Sequence, residues 1–188
     1  GSQSNDTIIG NELDNEISGN GGNDTLFGGA GNDVFNRATD SRDGVDTMHG
    51  GTGNDTYVLS NASDIVLELA GEGVDTIYTP TSYSAPSNVE NVFGLGNRGS
   101  LTIKGNNLDN VLRGSELNDI IEGGGGADDF LLYIGMGNDK VIDFNSDEGD
   151  EVLLAYGLSG YQFANTSTGA MYSLEDGSSL ELVYEPIV

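Results

Sequence analysis

The sequence has no cysteine, and among its 188 residues it has only three prolines and one histidine. The lack of cysteine excludes disulfides and thiolate metal sites. A single histidine, His49, excludes a zinc site that needs two histidines. No apolar run is long enough to span a bilayer, and the first residues do not form a signal-peptide pattern. The length predicts one domain, and we expect no membrane span.

Basic residues are also scarce, with six lysines and arginines against 31 acidic residues and a formal net charge of −25. Nucleic acids and anionic membranes are bound by clusters of lysine and arginine, so neither is an expected partner. Two carboxylates about 4 Å apart repel by roughly 4 kcal/mol at an effective dielectric constant near 20. A compact fold with this composition therefore needs counter-charge, which leaves disorder or the binding of hard cations.

Glycine is abundant, and its spacing argues for an ordered fold. The sequence contains 30 glycines, and its hydrophobic fraction of 36% is sufficient for a core. Residues 1–36 divide into four consecutive units of nine residues: GSQSNDTII, GNELDNEIS, GNGGNDTLF and GGAGNDVFN. These follow the pattern G-G-x-G-x-D-x-U-x, where U is a large apolar residue, which is typical of calcium-binding repeats.

Further units lie at 41–49, 50–58, 59–67, 70–78, 105–113, 114–122 and 123–131, and a looser unit surrounds Asp139. We call their two diagnostic positions the aspartate position and the apolar position. The aspartate position holds Asp6, Asn15, Asp24, Asp33, Asp46, Asp55, Asp64, Asp75, Asn110, Asp119, Asp128 and Asp139. The apolar position holds Ile8, Ile17, Leu26, Phe35, Met48, Tyr57, Val66, Ile77, Leu112, Ile121, Phe130 and Val141.

The second half of each unit, x-U-x, predicts a short strand with its apolar residue inward, and the glycine-rich first half predicts a turn. Two units then make one coil, so that residues 18 apart stack on the same side. The insertions Arg37–Asp40 and Glu68–Leu69 lengthen this spacing without breaking it. We therefore predict an all-β fold, a right-handed parallel β-roll. One side carries Asp6, Asp24, Asp46 and Asp64, and the other carries Asn15, Asp33, Asp55 and Asp75.

Stacked turns bring carboxylates and glycine carbonyls together, which suits calcium because this ion takes six to eight oxygen ligands. Without the ion, the carboxylates repel and the carbonyls lack donors, so folding should depend on calcium. We expect about five to eight ions, with affinities of roughly 10⁻⁴ to 10⁻³ M. The predicted ligands are the residues at all twelve aspartate positions and the turn glycines Gly19, Gly21, Gly28, Gly29, Gly31, Gly50, Gly51, Gly53, Gly71, Gly73, Gly123, Gly124 and Gly126.

Two segments depart from the repeat. Residues 79–104 lack it but keep strand signals at Val89–Phe93 and Leu101–Ile103, so this insert could form a coil without calcium ligands. We assign 1–131 to the roll and 132–188 to a C-terminal β cap, because a solenoid needs its last coil covered. The cap includes a hairpin predicted over 171–185 around Glu-Asp-Gly-Ser.

An acidic stretch at 141–154 predicts strand, turn and strand. Asp143, Asn145 and Asp147 match the opening of an EF-hand loop, but Glu148 and Leu154 stand where that loop needs glycine and glutamate. We therefore reject an EF-hand. A single irregular calcium site at Asp143, Asn145 and Asp147 remains one interpretation, and a solvated acidic turn is the other.

The repeats GNGGNDTLF, GGAGNDVFN, GGTGNDTYV and GGGGADDFL resemble those of repeats-in-toxin proteins exported by type I secretion. The resemblance covers about residues 1–154. It implies a β-roll that folds in extracellular calcium, stays unfolded in the calcium-poor cytoplasm, and reaches the exterior of a Gram-negative bacterium. The ending Glu185–Val188 resembles the acidic and apolar C-terminus of some type I secreted proteases, which implies a secretion signal and a longer parent protein.

Three functions are compatible with these repeats. The first is a non-catalytic, monomeric module that folds on calcium, and serves secretion and stability through the type I machinery. The second is a carbohydrate-binding module of an extracellular polysaccharide-modifying enzyme, although the outward aromatics Phe27, Tyr78, Tyr83 and Phe93 are scattered. The third is an adhesin segment. No catalytic residue is predicted, since the carboxylates follow the metal repeat and His49 occupies an outward position.

Overall fold

The structure, a computed structural model, describes residues 1–35, 44–96, 99–155, 158–167 and 169–184. These residues contain nineteen β-strands and no helix, which confirms the all-β prediction; none of them forms a helix that could cross a membrane. They belong to two compact units, residues 1–80 with 86–91 and residues 81–85 with 92–188. The predicted insertion Arg37–Asp40, the start of the unit at 41–49 and the ending Glu185–Val188 lie outside the described residues.

The first unit is built from short strands, each of which contains the apolar position of one repeat. They are β1 (Thr7–Ile9), β2 (Glu16–Ile17), β3 (Thr25–Ala30), β4 (Val34–Phe35), β5 (Thr47–Thr52), β6 (Thr56–Val58), β7 (Ile65–Leu67) and β8 (Thr76–Thr79). Alternate strands pair in parallel, so that β1, β3, β5 and β7 form one sheet, and β2, β4, β6 and β8 pair in the same order in another.

The register of these sheets matches the predicted stacking. Leu26 pairs with Ile8 on one side and with Met48 on the other, and Phe35 pairs with Tyr57 in the second sheet. Each pair joins two repeats that are separated in the sequence by one intervening repeat. Two repeats therefore make one coil, and the prediction of a parallel β-solenoid is confirmed.

Apolar side chains fill the interior of each coil. Leu26, Phe35, Met48 and Tyr57 are completely buried, and the rings of Phe35 and Tyr57 stack with their centroids 5.0 Å apart. Ile8, in the first strand, is half-buried. Burying a large apolar side chain contributes roughly 1.5–3 kcal/mol. The apolar position of the repeat is therefore the core.

The second unit continues the same construction with strands of two to seven residues. They are β9 (Tyr83–Ser84), β10 (Asn91–Gly94), β11 (Thr102–Lys104), β12 (Val111–Arg113), β13 (Ile120–Glu122), β14 (Asp129–Leu132), β15 (Asn138–Phe144), β16 (Glu151–Leu154), β17 (Gln162–Asn165), β18 (Gly169–Ser173) and β19 (Ser179–Tyr184). One sheet has the order β10, β12, β14, β16, and the other has the order β9, β11, β13, β15, β19, β18, β17.

The repeat-free insert contributes strands to these sheets. Strands β10 and β11 confirm the strands predicted at Val89–Phe93 and Leu101–Ile103. Strand β9 was not predicted from the sequence. Ile103 pairs with Tyr83 and with Ile121, so β9, β11 and β13 stack as coils of one solenoid. An apolar residue at the right spacing therefore maintains the coil without the glycine pattern.

The C-terminal strands change direction. Strand β15 pairs in parallel with β19, but β19, β18 and β17 pair with one another in antiparallel fashion. The hairpin predicted over 171–185 is confirmed, with β18 and β19 joined through residues 174–178. The assignment of residues 132–188 as a cap stays a prediction.

Candidate functional site: the stacked aspartates

The aspartate positions lie where a turn meets a strand, and at most of them the backbone amide donates a hydrogen bond to a side chain of the next coil. In the first unit, the Asp6 amide donates to Asp24 Oδ1 at 2.7 Å, and the Asp24 amide donates to Asp46 Oδ1 at 2.9 Å. The Asp46 amide in turn donates to Asp64 Oδ1 at 3.2 Å. These residues form a continuous hydrogen-bonded column, which we call an aspartate ladder, and its spacings of 18, 22 and 18 residues are those read from the sequence.

The opposite side of the first unit has a second aspartate ladder. The Asn15 amide donates to Asp33 Oδ1 at 2.7 Å, the Asp33 amide donates to Asp55 Oδ1 at 2.7 Å, and the Asp55 amide donates to Asp75 Oδ1 at 2.8 Å. The Asp75 amide donates to Glu90 Oε2 at 2.7 Å. Glu90 therefore occupies a ladder position that the sequence analysis missed, although Val92 follows at the distance expected of an apolar position.

The second unit contains two further aspartate ladders. In one, the Asn110 amide donates to Asp128 Oδ1 and the Asp128 amide donates to Asp150 Oδ1, both at 2.9 Å. In the other, the Leu101 amide donates to Asp119 Oδ1 at 2.6 Å, and the Asp119 amide donates to Asp139 Oδ1 at 2.9 Å.

Asp150 was not predicted from the sequence, and Leu101 shows that a ladder position can carry a side chain without any oxygen atom. The signal for Asp150 is present in the sequence, because Asp150-Glu151-Val152 repeats the D-x-U spacing and Val152 pairs with Phe130. Its acidic neighbours favoured a turn over a continuation of the repeat, and the structure shows that the repeat continues.

Only one oxygen of several of these carboxylates has a hydrogen-bond partner. Most of the ladder aspartates are almost completely buried. The exposed fraction is 0–3% for Asp24, Asp33, Asp46, Asp55, Asp64, Asp75, Asp119, Asp128 and Asp139. The second oxygen, Oδ2, is buried without a partner in Asp24, Asp33, Asp55, Asp75 and Asp139. A buried carboxylate oxygen without a partner is costly, whereas a bound cation would satisfy it. This donor set therefore fits a hard metal ion such as calcium.

The second carboxylate oxygens face the glycines of the turns. A Cβ added at Gly28 would lie closer than 3.0 Å to Asp33 Oδ2 and 2.6 Å from the Gly50 carbonyl oxygen. A Cβ added at Gly19 or Gly123 would likewise collide with the carboxylate five residues later. In these turns the first glycine is therefore required by the close approach of oxygen atoms, which places carboxylate and carbonyl oxygens in one narrow region.

The later glycines of the turns stack on the backbone of the preceding coil. A Cβ added at Gly51 or Gly53 would lie closer than 3.0 Å to the carbonyl oxygens of Gly29 and Gly31. Gly29 and Gly51 also have φ angles of 118° and 96°, which side chains rarely adopt. Close approach to a neighbouring coil is shared by the predicted ligands Gly21, Gly29, Gly31, Gly50, Gly51, Gly53, Gly73, Gly124 and Gly126. Gly71 differs, because nothing lies within 4 Å of its added Cβ.

A second column of side chains runs beside each aspartate ladder. The Asn23 amide donates to Asn5 Oδ1 at 2.8 Å, and the Asn54 amide donates to Asn32 Oδ1 at 2.7 Å. These asparagines precede the aspartate position in the dipeptide Asn-Asp. Their role, which was not predicted from the sequence, is to link the turns of successive coils.

Asp143 lies near the end of β15, and Asn145 and Asp147 lie in the acidic turn that follows it. The two oxygens of Asp143 accept hydrogen bonds from the amides of Gly123 and Gly124 at 2.9 and 3.0 Å. Asn145 Oδ1 accepts the Asp147 amide at 3.1 Å, and Asp147 is exposed. The irregular calcium site at Asp143, Asn145 and Asp147 stays a prediction.

Burial governs the electrostatics of the ladders. It raises the pKa of Asp55, Asp75 and Asp128 to about 6 and that of Asp139 to about 8. Hydrogen bonds from ladder amides act against this rise, and neighbouring carboxylates add to it. Folding therefore disfavours the charged forms of these groups unless a cation is present.

A parallel coil with buried carboxylate ladders facing glycine turns defines a calcium-binding repeat protein. The sequence of residues 1–35, 40–65 and 104–141 matches the RTX calcium-binding nonapeptide repeat (4 copies). The match covers more than half of the chain, and the chain therefore belongs to the RTX calcium-binding repeat family. A comparison with curated proteins gives no match.

Replacing Asp33 by asparagine tests the ligand role of the ladders. Asp33→Asn keeps an Oδ1 acceptor for the Asn15 amide but removes the charge, so the fold in calcium should persist while calcium affinity at that turn falls by about tenfold. The measurement is isothermal titration of calcium into chelator-treated protein. Glu12→Gln, which removes one exposed charge, is the matched control; equal isotherms for the two variants would contradict the ligand role.

The raised pKa values predict how pH acts on the metal-free chain. An acid whose pKa is raised on folding stabilises the fold below its unfolded value, and this stability is lost as pH rises through the folded value. Ordered structure in chelated protein should therefore increase as pH falls from about 8 towards the ordinary aspartate value of 3.8. Far-UV circular dichroism against pH measures this. Progressive loss of order over the same range would contradict it.

Proposed function

We propose that the chain is a non-catalytic module that folds when it binds calcium outside the cell and so supports the secretion and stability of a larger extracellular protein. The observation that carries the proposal is the set of buried, unpartnered carboxylate oxygens in the ladders. With a formal charge of −25, the chain supplies too few cationic side chains to neutralise them. Calcium would supply the missing charge at each turn.

Calcium would act as a switch because the same residues behave differently with and without it. Without calcium, the stacked carboxylates repel one another, and burial penalises their charged forms. With calcium, the coils are joined by ions as well as by the backbone hydrogen bonds of the ladders. An expanded chain suits passage through a secretion channel, and a metal-loaded coil suits the exterior, where calcium is plentiful.

The residues that could suggest catalysis have ordinary structural roles. His49, the one histidine of the sequence, stacks on Phe27 with ring centroids 4.6 Å apart on the outer face of a sheet. The paired carboxylates lie on the aspartate ladders. These contacts support a binding and folding role over an enzymatic one for this chain.

The carbohydrate-binding alternative receives less support. Phe27 is engaged with His49, and the Phe93 ring lies 5.1 Å from the guanidinium carbon of Arg113. These two outward aromatic residues therefore contact neighbouring side chains instead of forming an aligned row that could stack on sugars. We retain the calcium-dependent module as the proposed function.

Titration of calcium into chelator-treated protein, followed by far-UV circular dichroism, tests the proposal. We expect a disordered spectrum that changes cooperatively to a β spectrum, because ligand binding and coil formation are coupled. Magnesium serves as the control and should fail to replace calcium, since its smaller octahedral shell fits a flexible oxygen cage poorly. A chelated sample with the β spectrum of the calcium-loaded sample would overturn the proposal.

A further inference from the structure

One turn of the first unit carries a buried glutamate where its neighbours carry glycine. In the register of β3, β5 and β7, the residues Gly28, Gly50 and Glu68 occupy equivalent positions in successive coils. A side chain is excluded at Gly28 and Gly50 by nearby oxygens. The turn that begins with Glu68 is two residues longer than its neighbours, through the Glu68–Leu69 insertion, and it accommodates the side chain.

Glu68 is directed towards the second aspartate ladder. It is only 7% exposed, its Oε1 accepts a hydrogen bond from the Tyr57 hydroxyl, and its Oε2 is buried without a partner. Each of Glu68, Asp55 and Asp75 offers a carboxylate oxygen, and these oxygens lie within 4.8 Å of one another. Among the described residues, this is the one group of three acidic or histidine side chains that come so close.

The two aspartates of this group are held in place by the ladder. The Oδ1 atoms of Asp55 and Asp75 accept the amides of Asp33 and Asp55, at 2.7 and 2.8 Å. Their Oδ2 atoms are buried without partners, as is Glu68 Oε2. Each of the three fixed side chains therefore has one unpartnered oxygen, and the group brings one carboxylate oxygen of each within 4.8 Å of the others.

No basic side chain of the described part of this unit can neutralise the group. The lysines and arginines of the sequence that fall in the unit are Arg37 and Arg42, which lie outside the described residues. Three carboxylates at this separation repel strongly in a buried environment. A multivalent cation bound to oxygen ligands is the chemistry that satisfies them together.

We propose that Asp55, Glu68 and Asp75 form a three-carboxylate calcium site that binds more tightly than the other turns and fills first. The inference rests on the proposed function, because it assumes that the turns bind calcium. Calcium affinity increases with the number of charged ligands and with the rigidity of the site. At this turn a glutamate carboxylate is added at a position that is glycine in the neighbouring turns, and the Tyr57 hydroxyl fixes its orientation.

Calorimetric titration of calcium into chelator-treated protein tests the order of filling. Wild-type protein should give one ion in a tight class, followed by a weaker class. Glu68→Gln keeps the size and the hydrogen-bond acceptor but removes the charge, so the tight class should weaken by at least about tenfold. Glu12→Gln, an exposed change of equal charge, should leave both classes unchanged.

Terbium luminescence on the wild-type protein gives a second readout that does not depend on the folding of Glu68→Gln. Tb³⁺ is a hard, oxygen-seeking ion of similar size to calcium, and its emission is excited through a nearby tyrosine. Because Tyr57 donates to Glu68, the first equivalent of Tb³⁺ should give most of the tyrosine-sensitised emission, and Tyr57→Phe should remove most of that step.

The outcomes separate this inference from the proposed function. If wild-type protein binds no calcium, the proposed function fails and the inference fails with it. If wild-type protein binds several ions in one class that Glu68→Gln leaves unchanged, or if the Tb³⁺ emission rises evenly over all equivalents, the proposed function stands and the three-carboxylate site is overturned.

Discussion

A buried carboxylate with one oxygen bonded to the backbone and the other facing a glycine turn is the interaction on which this protein depends. In Asp33, for example, Oδ1 accepts the Asn15 amide of the preceding coil, and Oδ2 is buried without a partner. The first oxygen fixes the register of successive coils. The second oxygen destabilises the stacked arrangement unless a cation is bound, because a buried charge without a partner is costly. Stacking and the proposed metal binding therefore depend on the same side chain.

The glycines and the apolar residues serve this interaction in different ways. Gly28 and Gly50 have no Cβ, and a Cβ at either position would displace the neighbouring oxygen atoms. The apolar residues, such as Phe35 and Tyr57, stack on one another inside the solenoid and hold consecutive coils together. Since the strands have two to six residues in the first unit, their own hydrogen bonds are few. Under the proposed function, ions bound at the turns supply the additional stabilisation that strands this short need.

The sequence predicted the coil and the ladders because both follow from a repeat of fixed length. The stacking of Leu26 on Met48 and the bonding of Asp24 to Asp46 follow from counting residues. Glu90 and Asp150 were missed for a physical reason, since a ladder position needs only an acceptor oxygen before a strand, and the flanking glycines can be absent. Glu68 was read as part of an insertion, because its proximity to Asp55 and Asp75 depends on the path of the longer turn. The exact ligand set of each ion likewise depends on how the turns pack.

Anomalous diffraction from crystals grown with calcium tests most directly whether the ladders hold the ions. The account predicts peaks in columns beside the turns, within about 2.3–2.6 Å of carboxylate oxygens such as Oδ2 of Asp33 and Asp55. Peaks confined to exposed acidic residues such as Glu12 and Glu148, with none beside the ladder carboxylates, would contradict it.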